Sequence, residues 1–320
     1  MIVDVPHDDL MNYTHPLDVL QFIQTQQSEQ SCALVIVTDT DGGGVRAPGA
    51  MMGVTRSGHS AGYISNGCVD ADVISRAQMA MKDAKTYQVR YGKESPIFDL
   101  QLPCGGSLDL LIVPDPDPKT TALAIEHLEN RRPINFIVSV EGTTAVNLGE
   151  DVKTGWSEGD FSIRCLPRLK LRIVGRGAEP LAFARLGRSA DFDVLLQSPD
   201  TLIISEAKSL GLKANLFELG RPPMCDDDAW TACVLMFHDH DWEHDILKET
   251  LKYDAFYIGA LGSQKTHKAR CEELRQSGVL ESAIGKIRSP IGLIPSMRDA
   301  SMLAISTLAD VAQCWTKDVL

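Results

Sequence analysis

The sequence lacks paired cysteines of the kind that bind zinc or exchange disulfides. Its eight cysteines lie at positions 32, 68, 104, 165, 225, 233, 271 and 314, and none forms a Cys-x-x-Cys pair. This spacing argues against a zinc ribbon and against a thioredoxin-like redox motif. Most of the cysteines are therefore expected to be small buried side chains of a protein in a reducing compartment.

Long apolar runs and an excess of positive charge are also missing. No stretch approaches the roughly 20 apolar residues that span a bilayer, and residues 1–10 have neither a basic region nor an apolar run. The formal net charge of −12 would repel nucleic acid and anionic membranes. We therefore expect a cytoplasmic protein without a signal peptide, a nucleic-acid partner or a membrane partner, in which a few arginines can still bind a phosphorylated small molecule.

The length of 320 residues allows two domains, each with its own core. Residues 1–160 predict a mixed α/β domain. From residue 168 to residue 320, strands and helices alternate with short connections, which predicts a Rossmann-like parallel sheet with helices on both faces. We place the boundary in the polar, weakly periodic segment at residues 150–167.

The dinucleotide fingerprint of the second domain is incomplete. It reads Gly175-Arg176-Gly177-Ala178-Glu179-Pro180, with proline in place of the third glycine. Glu179 would put a negative charge where a helix N-terminus should receive a pyrophosphate. The next strand ends without an acid that could bind a ribose, and only Asp200 follows later. We favour a Rossmann fold that has lost NAD(P) binding, with an NAD(P)-dependent oxidoreductase as the alternative.

A cluster of histidines, His238, His240 and His244, lies at the end of a predicted strand. His240 and His244 share one helical face at i, i+4 spacing, as a pair of metal ligands would require. The alternative is a polar strand end in which Asp239 or Asp241 caps the helix. We favour the second interpretation.

Three glycine-rich loops in the first domain predict a binding site. Gly42, Gly43 and Gly44 precede Arg46, so consecutive backbone N–H groups can form an anion-binding concavity beside a guanidinium that grips phosphate.

The other two loops each carry a cysteine. Gly67 and Cys68 stand at a strand-to-helix junction, where the helix N-terminus lowers a thiol pKa. Cys104 is followed by Gly105 and Gly106, which permit close approach of a ligand. Either thiolate could bind a metal or carry sulfur.

These residues resemble the XdhC/CoxI family of xanthine dehydrogenase accessory proteins. The family motifs are similar, in chain order, to the segments at residues 42–52, 64–72, 103–106, 257–266 and 287–293. Two departures concern the first domain: Gly42-Gly43-Gly44-Val45 stands where the family has Gly-Ser-Ser-Pro, and Asn66 replaces a glycine. Arg46 and both loop cysteines are retained.

The resemblance implies an N-terminal α/β XdhC/CoxI-type domain, a C-terminal Rossmann-like domain and a function other than catalysis. Such a protein binds and protects the molybdenum cofactor (molybdopterin or its dinucleotide form), supports its sulfuration and inserts it into an enzyme of the xanthine dehydrogenase or aldehyde oxidoreductase type. The implied partners are that client molybdenum hydroxylase, a cysteine desulfurase and a second copy of the chain.

On this interpretation, Cys68 and Cys104 are the expected ligands of the molybdenum or its sulfur. Arg46 and the Gly42–Gly44 loop would hold phosphate, and Gly262 and Ser263, at a helix N-terminus, would contact a second phosphate. A persulfide sulfurtransferase that uses Cys68 or Cys104 is a further alternative.

Overall fold

The structure is a computed structural model that describes residues 14–42, 46–65, 67, 69–95, 105–149 and 152–318. The chain divides into two compact units, Met1–Pro167 and Arg168–Leu320. Each unit has its own hydrophobic clusters.

A five-stranded antiparallel sheet forms the centre of the first unit. Its strands are β1 (Cys32–Asp41), β2 (Met51–Thr55), β3 (Ser60–Ala61), β4 (Tyr87–Gly92) and β5 (Ser107–Pro114). Their order in the sheet is β3-β2-β1-β5-β4. β1 is buried on both faces from Cys32 to Val37, which explains why its sequence is a continuous apolar run.

A second, four-stranded antiparallel sheet completes the first unit. Its strands are β6 (Ile134–Ser139), β7 (Thr144–Asn147), β8 (Gly155–Ser157) and β9 (Asp160–Cys165), in the order β7-β6-β9-β8. The last two strands occupy the segment that the sequence analysis treated as a boundary without strands. They escape sequence prediction because β8 is short, and because β9 depends on pairing with β6, more than twenty residues earlier.

Three helices cover the large sheet: α1 (Pro16–Gln27), α2 (Asp70–Asp83) and α3 (Pro118–Glu129). On one face, α1 and α3 share a hydrophobic cluster with β1, β5, β6 and β9. On the other face, α2 packs against the alternate side chains of β1 and β5, such as Val35 and Leu110. The period-2 alternation of each strand therefore divides the first unit into two layers of core.

The second unit contains a parallel six-stranded sheet, which confirms the Rossmann-like prediction. Its strands are β10 (Lys170–Gly175), β11 (Asp193–Ser198), β12 (Lys213–Leu216), β13 (Thr231–Met236), β14 (Tyr257–Ala260) and β15 (Ile287–Arg288). Their order is β12-β11-β10-β13-β14-β15, so the chain reverses direction across the sheet between β10 and β13. Open sheets of this type bind ligands beyond the strand ends at such a switch point.

Helices lie on both faces of the parallel sheet. They are α4 (Ala178–Ser189), α5 (Thr201–Ser209), α6 (Glu243–Thr250), α7 (Gln264–Gln276), α8 (Glu281–Ile284) and α9 (Ala300–Asp318). One hydrophobic cluster includes side chains of α4, α5 and α9, and the other includes side chains of α6, α7 and α8. Within the part of the chain that the structure describes, no helix has the length and apolarity to cross a membrane.

A fully buried arginine stabilises the middle of this sheet. Arg172, on β10, pairs with Asp227 through an Nη2–Oδ2 distance of 2.6 Å and an Nε–Oδ1 distance of 2.8 Å. It also donates hydrogen bonds to Gln197 Oε1 at 3.1 Å and to Thr250 Oγ1 at 2.7 Å. Asp227 belongs to the long connection before β13, so the ion pair fixes that connection to the sheet.

Candidate functional site

Two of the predicted glycine loops meet at one edge of the large sheet. β1 ends where Asp41 pairs with Ser107, the first residue of β5. A Cβ atom on Gly106 would lie 2.1 Å from the carbonyl oxygen of Asp41, and one on Gly42 would lie 3.1 Å from Cα of Gly106. This backbone approach excludes any side chain at Gly106. The structure therefore brings the first and third glycine loops together through a contact that requires glycine.

The loop around Gly105 is open toward solvent. Gly105 has a φ angle of +70°, and a Cβ atom placed there would meet nothing within 4 Å. The N–H of Lys93 donates to the carbonyl of Gly106 at 3.1 Å, which ties the end of β4 to the same edge. The predicted site residues Gly43, Gly44 and Cys104 lie outside the described residues.

The side chain of Arg46 contacts Thr14 and Tyr63. Its Nη2 donates to the carbonyl of Thr14 at 3.1 Å, and its guanidinium carbon lies 4.7 Å from the ring centroid of Tyr63. Stacking on an aromatic ring fixes the plane of the guanidinium. A guanidinium has five N–H donors, so these contacts leave capacity for an anion.

The loop before α2 is organised by the carboxylate of Asp70. Its Oδ1 accepts hydrogen bonds from the backbone N–H groups of Ile64 at 3.2 Å and Ser65 at 2.9 Å, and its Oδ2 accepts from Gly67 at 2.7 Å. The N–H of Gly67 is thus engaged within the loop. A Cβ atom on Gly67 would meet nothing within 4 Å, so a ligand can approach its open face. Cys68, the next residue, lies outside the described residues.

The role of Asp70 in ordering this loop was not apparent from the sequence alone. Asp70 was part of the family pattern only, since its role depends on a turn that brings backbone N–H groups back to the first residue of a helix. An acidic residue three positions after a glycine, at a helix start, is the signal that could have indicated it.

The six cysteines that the structure describes are poor thiolate ligands. Burial raises the pKa of Cys32, Cys165 and Cys233 to about 12, and that of Cys225 to about 11. Cys271 also has a pKa raised by burial. These side chains are protonated thiols at neutral pH, whereas metals bind thiolates. Cys314 is buried as well.

In the second unit, Gly262 and Ser263 form a rigid turn before α7. Ser263 Oγ accepts a hydrogen bond from the N–H of Thr266 at 3.2 Å, so its oxygen serves as the helix cap. Gly262 has a φ angle of +142°, and a Cβ atom there would lie 2.8 Å from Cγ2 of Thr266. The buried Arg270 donates to the carbonyl of Leu261 at 2.7 Å, and this contact fixes the turn.

At the switch point, Gly175, Glu179 and Asp200 all contact other groups of the protein. A Cβ atom on Gly175 would lie 2.4 Å from the carbonyl oxygen of Met236, so β10 and β13 approach each other closely there. Glu179, in the first turn of α4, lies 3.1 Å from Nε2 of His238. Asp200 caps α5 by accepting from the N–H of Leu202 at 2.9 Å. Both acids are therefore engaged by groups of the protein.

His238 and His244 contact different groups of the second unit. His238 contacts Glu179, while His244 lies 3.1 Å from Oδ1 of Asp245 and 3.0 Å from Oγ of Ser277. The side chain of His240 is not among those that the structure describes. Within the described ranges, no three His, Cys, Asp or Glu side chains are placed to hold a metal ion.

A cavity of about 500 Å³ lies in the first unit, and the sequence alone did not indicate it. Its lining includes Asp39 of β1, Arg90 of β4, Asp109 of β5 and Trp156 of β8. Each comes from a different strand, and β8 was not predicted at all. Only the pairing of distant strands brings these side chains together.

The fold and the site define an α/β protein in which a unit with paired glycine loops precedes a Rossmann-type unit. Residues 25–92 match the XdhC and CoxI family, and residues 171–311 match the XdhC Rossmann domain family. The chain is 31% identical over 295 residues to the molybdenum cofactor insertion chaperone PaoD of Escherichia coli (strain K12), with 92% of this chain and 87% of that protein covered. The chain therefore belongs to the XdhC and CoxI family, as its motifs predicted.

A solved structure shares the fold over nearly the whole chain. It is the crystal structure of a xanthine dehydrogenase from Bacillus halodurans, with a TM-score of 0.76 and 19% identity, and the match covers 95% of this chain and 96% of that one. At this identity the likeness concerns the fold alone. It confirms the predicted mixed α/β class.

Proposed function

We propose that this protein binds the molybdenum cofactor, protects it and inserts it into a client enzyme, without catalysing a reaction of its own. The observation that carries the proposal is the contact between the Gly42 and Gly106 loops, where a Cβ atom would meet backbone at 2.1 Å. That contact holds the chain leading to Arg46 beside the chain that follows Cys104. The 31% identity to a molybdenum cofactor insertion chaperone supports the same function.

The donor set suits such a cargo. The cofactor offers a soft molybdenum–sulfur centre and an anionic phosphate, and thiolates of Cys68 and Cys104 are matched to the first of these. Arg46 with the Gly42–Gly44 loop is matched to the second.

The proposed partners follow from this cargo. The client is a molybdenum hydroxylase of the xanthine dehydrogenase or aldehyde oxidoreductase type, because that enzyme receives the cofactor. A cysteine desulfurase would supply the terminal sulfur while the cofactor is held by the two loop cysteines. We further propose that the protein acts as a homodimer.

Cofactor content of the purified protein tests the proposal. The full chain is purified anaerobically from a cofactor-producing cell, beside Cys104→Ala, Cys68→Ala and the control Cys271→Ala in α7. We expect near-stoichiometric pterin and molybdenum in the wild type and in the control, and a loss of both in Cys104→Ala. Unchanged retention in both loop variants, or an empty wild type that takes up no added cofactor, would contradict the proposal.

A persulfide on Cys68 or Cys104 is the second function that thiol chemistry allows, because the six described cysteines are unsuited to it. Intact-protein mass spectrometry after incubation with a cysteine desulfurase and cysteine detects an added sulfur atom. We expect the wild type to remain unmodified, since the sulfur is destined for the cofactor. A stable adduct that is absent from the loop variants would favour the sulfurtransferase.

A further inference from the structure

The cavity lined by Asp39, Arg90, Asp109 and Trp156 has a row of polar side chains on one wall. Asp39 pairs with Asp109 in the register of β1 and β5, and Arg90 pairs with Asp109 in the register of β4 and β5. The three side chains therefore lie side by side across three neighbouring strands. Their sequence neighbours Val89 and Leu110 belong to the core under α2. By strand alternation, Arg90 and Asp109 face the opposite side, toward β8. The register shift between Val37 and Asp39 brings Asp39 to the same face as Asp109.

The row lies close to the proposed cofactor loops. Asp39 precedes Gly42 by three residues, and Asp109 follows Gly106 by three residues. Three residues of strand span about 10 Å. A ligand bound at the glycine loops can therefore extend into the cavity with a second, planar part.

The charges of the cavity favour a ligand with N–H donors over an anion. Two carboxylates, Asp39 and Asp109, face one guanidinium, and Arg90 Nη1 lies 3.3 Å from Oδ2 of Asp109. A carboxylate has about four lone-pair sites, so this contact leaves Asp109 able to accept further hydrogen bonds. A phosphate placed here would meet net negative charge.

Asp109 is held in an environment that disfavours its charge. Burial raises the pKa of the Asp109 carboxyl, Arg90 opposes part of that rise, and Asp39 adds to it. A carboxylate kept under such conditions lowers the stability of the native state, and acids of this kind concentrate at functional sites.

Trp156 supplies an aromatic face. Its side chain is 45% exposed although it is large and apolar. Its ring packs edge-on against Phe161, with the ring centroids 5.2 Å apart, so its position is fixed while one side stays accessible. An exposed aromatic ring beside hydrogen-bond acceptors is the usual arrangement for stacking a planar heterocycle.

We propose that this cavity binds the pterin ring of the cofactor through its 2-amino-4-oxopyrimidine edge. Asp109 accepts hydrogen bonds from the adjacent ring N–H and amino group, Trp156 stacks on the ring, and Arg90 positions the carboxylate. The inference rests on the proposed function, because it supplies the part of the site that recognises the organic ring. Guanine carries the same edge, so a guanine nucleotide is the other source of this chemistry.

Cofactor content separates a failure of this inference from a failure of the proposed function. Asp109→Asn and Trp156→Leu are purified with the wild type and with the control Asp193→Asn, whose carboxylate pairs with Lys213 in the second unit. We expect pterin in the wild type and the control, and little in the two cavity variants. A wild type with pterin and cavity variants that hold as much would overturn the cavity assignment alone. An empty wild type would instead overturn the proposed function.

Titration of the full chain with neopterin and with GMP distinguishes the two sources of the ring. We expect saturable neopterin binding that Asp109→Asn weakens by about tenfold or more, the loss of one bidentate base contact. Asp109→Asn is expected to unfold at the wild-type temperature or above, because it removes a disfavoured charge. Binding of GMP alone, or neopterin binding that is equal in the wild type and in both cavity variants, would overturn the pterin assignment.

Discussion

At the scale of single residues, the site depends on a glycine whose replacement is sterically forbidden. Gly106 faces the carbonyl oxygen of Asp41 at a distance that no Cβ atom tolerates, while its neighbour Gly105 faces open space. Glycine is thus required at these two adjacent positions for different physical reasons. Gly106 is required by close approach of two strands, and Gly105 by its left-handed φ angle of +70°.

We predict that Gly106→Ala separates β1 from β5 and lowers the free energy of unfolding by about 3 kcal/mol, the upper range for overpacking. Gly105→Asn is the matched control, since asparagine tolerates the left-handed region and the space is open, and we expect a loss of less than about 1 kcal/mol. Urea unfolding of both variants measures this difference. Equal losses would show that the contact between the loops is not rigid.

The charged side chain of Arg172 is completely buried. Removal of one partner from a buried ion pair leaves the other charge without compensation in a low-dielectric interior. Its carboxylate partner Asp227 is buried as well, and it also accepts a hydrogen bond from the thiol of Cys225 at 3.2 Å.

Asp227→Asn is therefore expected to lower the free energy of unfolding by about 3–5 kcal/mol. Glu206→Gln, which breaks the exposed pair between Arg185 and Glu206, should cost less than about 1 kcal/mol. Both are measured by chemical denaturation at neutral pH. A small loss in Asp227→Asn would mean that the connection before β13 is held by other contacts.

At the scale of elements, the N-termini of α4 and α7 in the second unit are occupied by the protein's own groups. In α4, Glu179 contacts His238 at the position where a dinucleotide would place its pyrophosphate. In α7, the oxygen of Ser263 caps the helix. A negative side chain at a helix N-terminus competes with an anionic ligand for the same favourable potential.

From the environment of α4, we predict that NADH and NADPH do not bind at the switch point. Titration followed by nicotinamide fluorescence should show no saturation up to about 1 mM, which corresponds to a binding free energy weaker than about −4 kcal/mol. A dehydrogenase of known affinity serves as the positive control. A micromolar dissociation constant would restore the oxidoreductase alternative.

At the scale of the whole molecule, the net charge of −12 opposes the approach of an anionic cargo. The proposed site would offer local attraction through Arg46, but the long-range field is set by all charges together. Added salt screens this field, as the Debye length falls from about 30 Å at 0.01 M to about 8 Å at 0.15 M.

The rate of cofactor uptake should consequently rise with ionic strength over that range. Stopped-flow mixing of the protein with released cofactor, followed by protein fluorescence, measures the rate, and an uncharged pterin serves as the control whose rate stays constant. A rate that falls with added salt would instead mean that local positive charge steers the encounter.

The sequence alone determined the features that local chemistry specifies. Alternating strands and helices predicted the parallel sheet of the second unit. The glycine loops and the family were also indicated, because their residues are adjacent in the chain. Periodicity and turn chemistry are local properties, so one sequence suffices to detect them.

The tertiary structure decided which distant residues meet. Strands β8 and β9, the contact of Gly42 with Gly106, and the cavity of Asp109 and Trp156 all depend on pairing between segments far apart in the chain. A shift of the pairing register by one residue moves each side chain of a strand from one face of the sheet to the other. Local patterns do not fix that register, so only the assembled sheets bring these distant groups near one another.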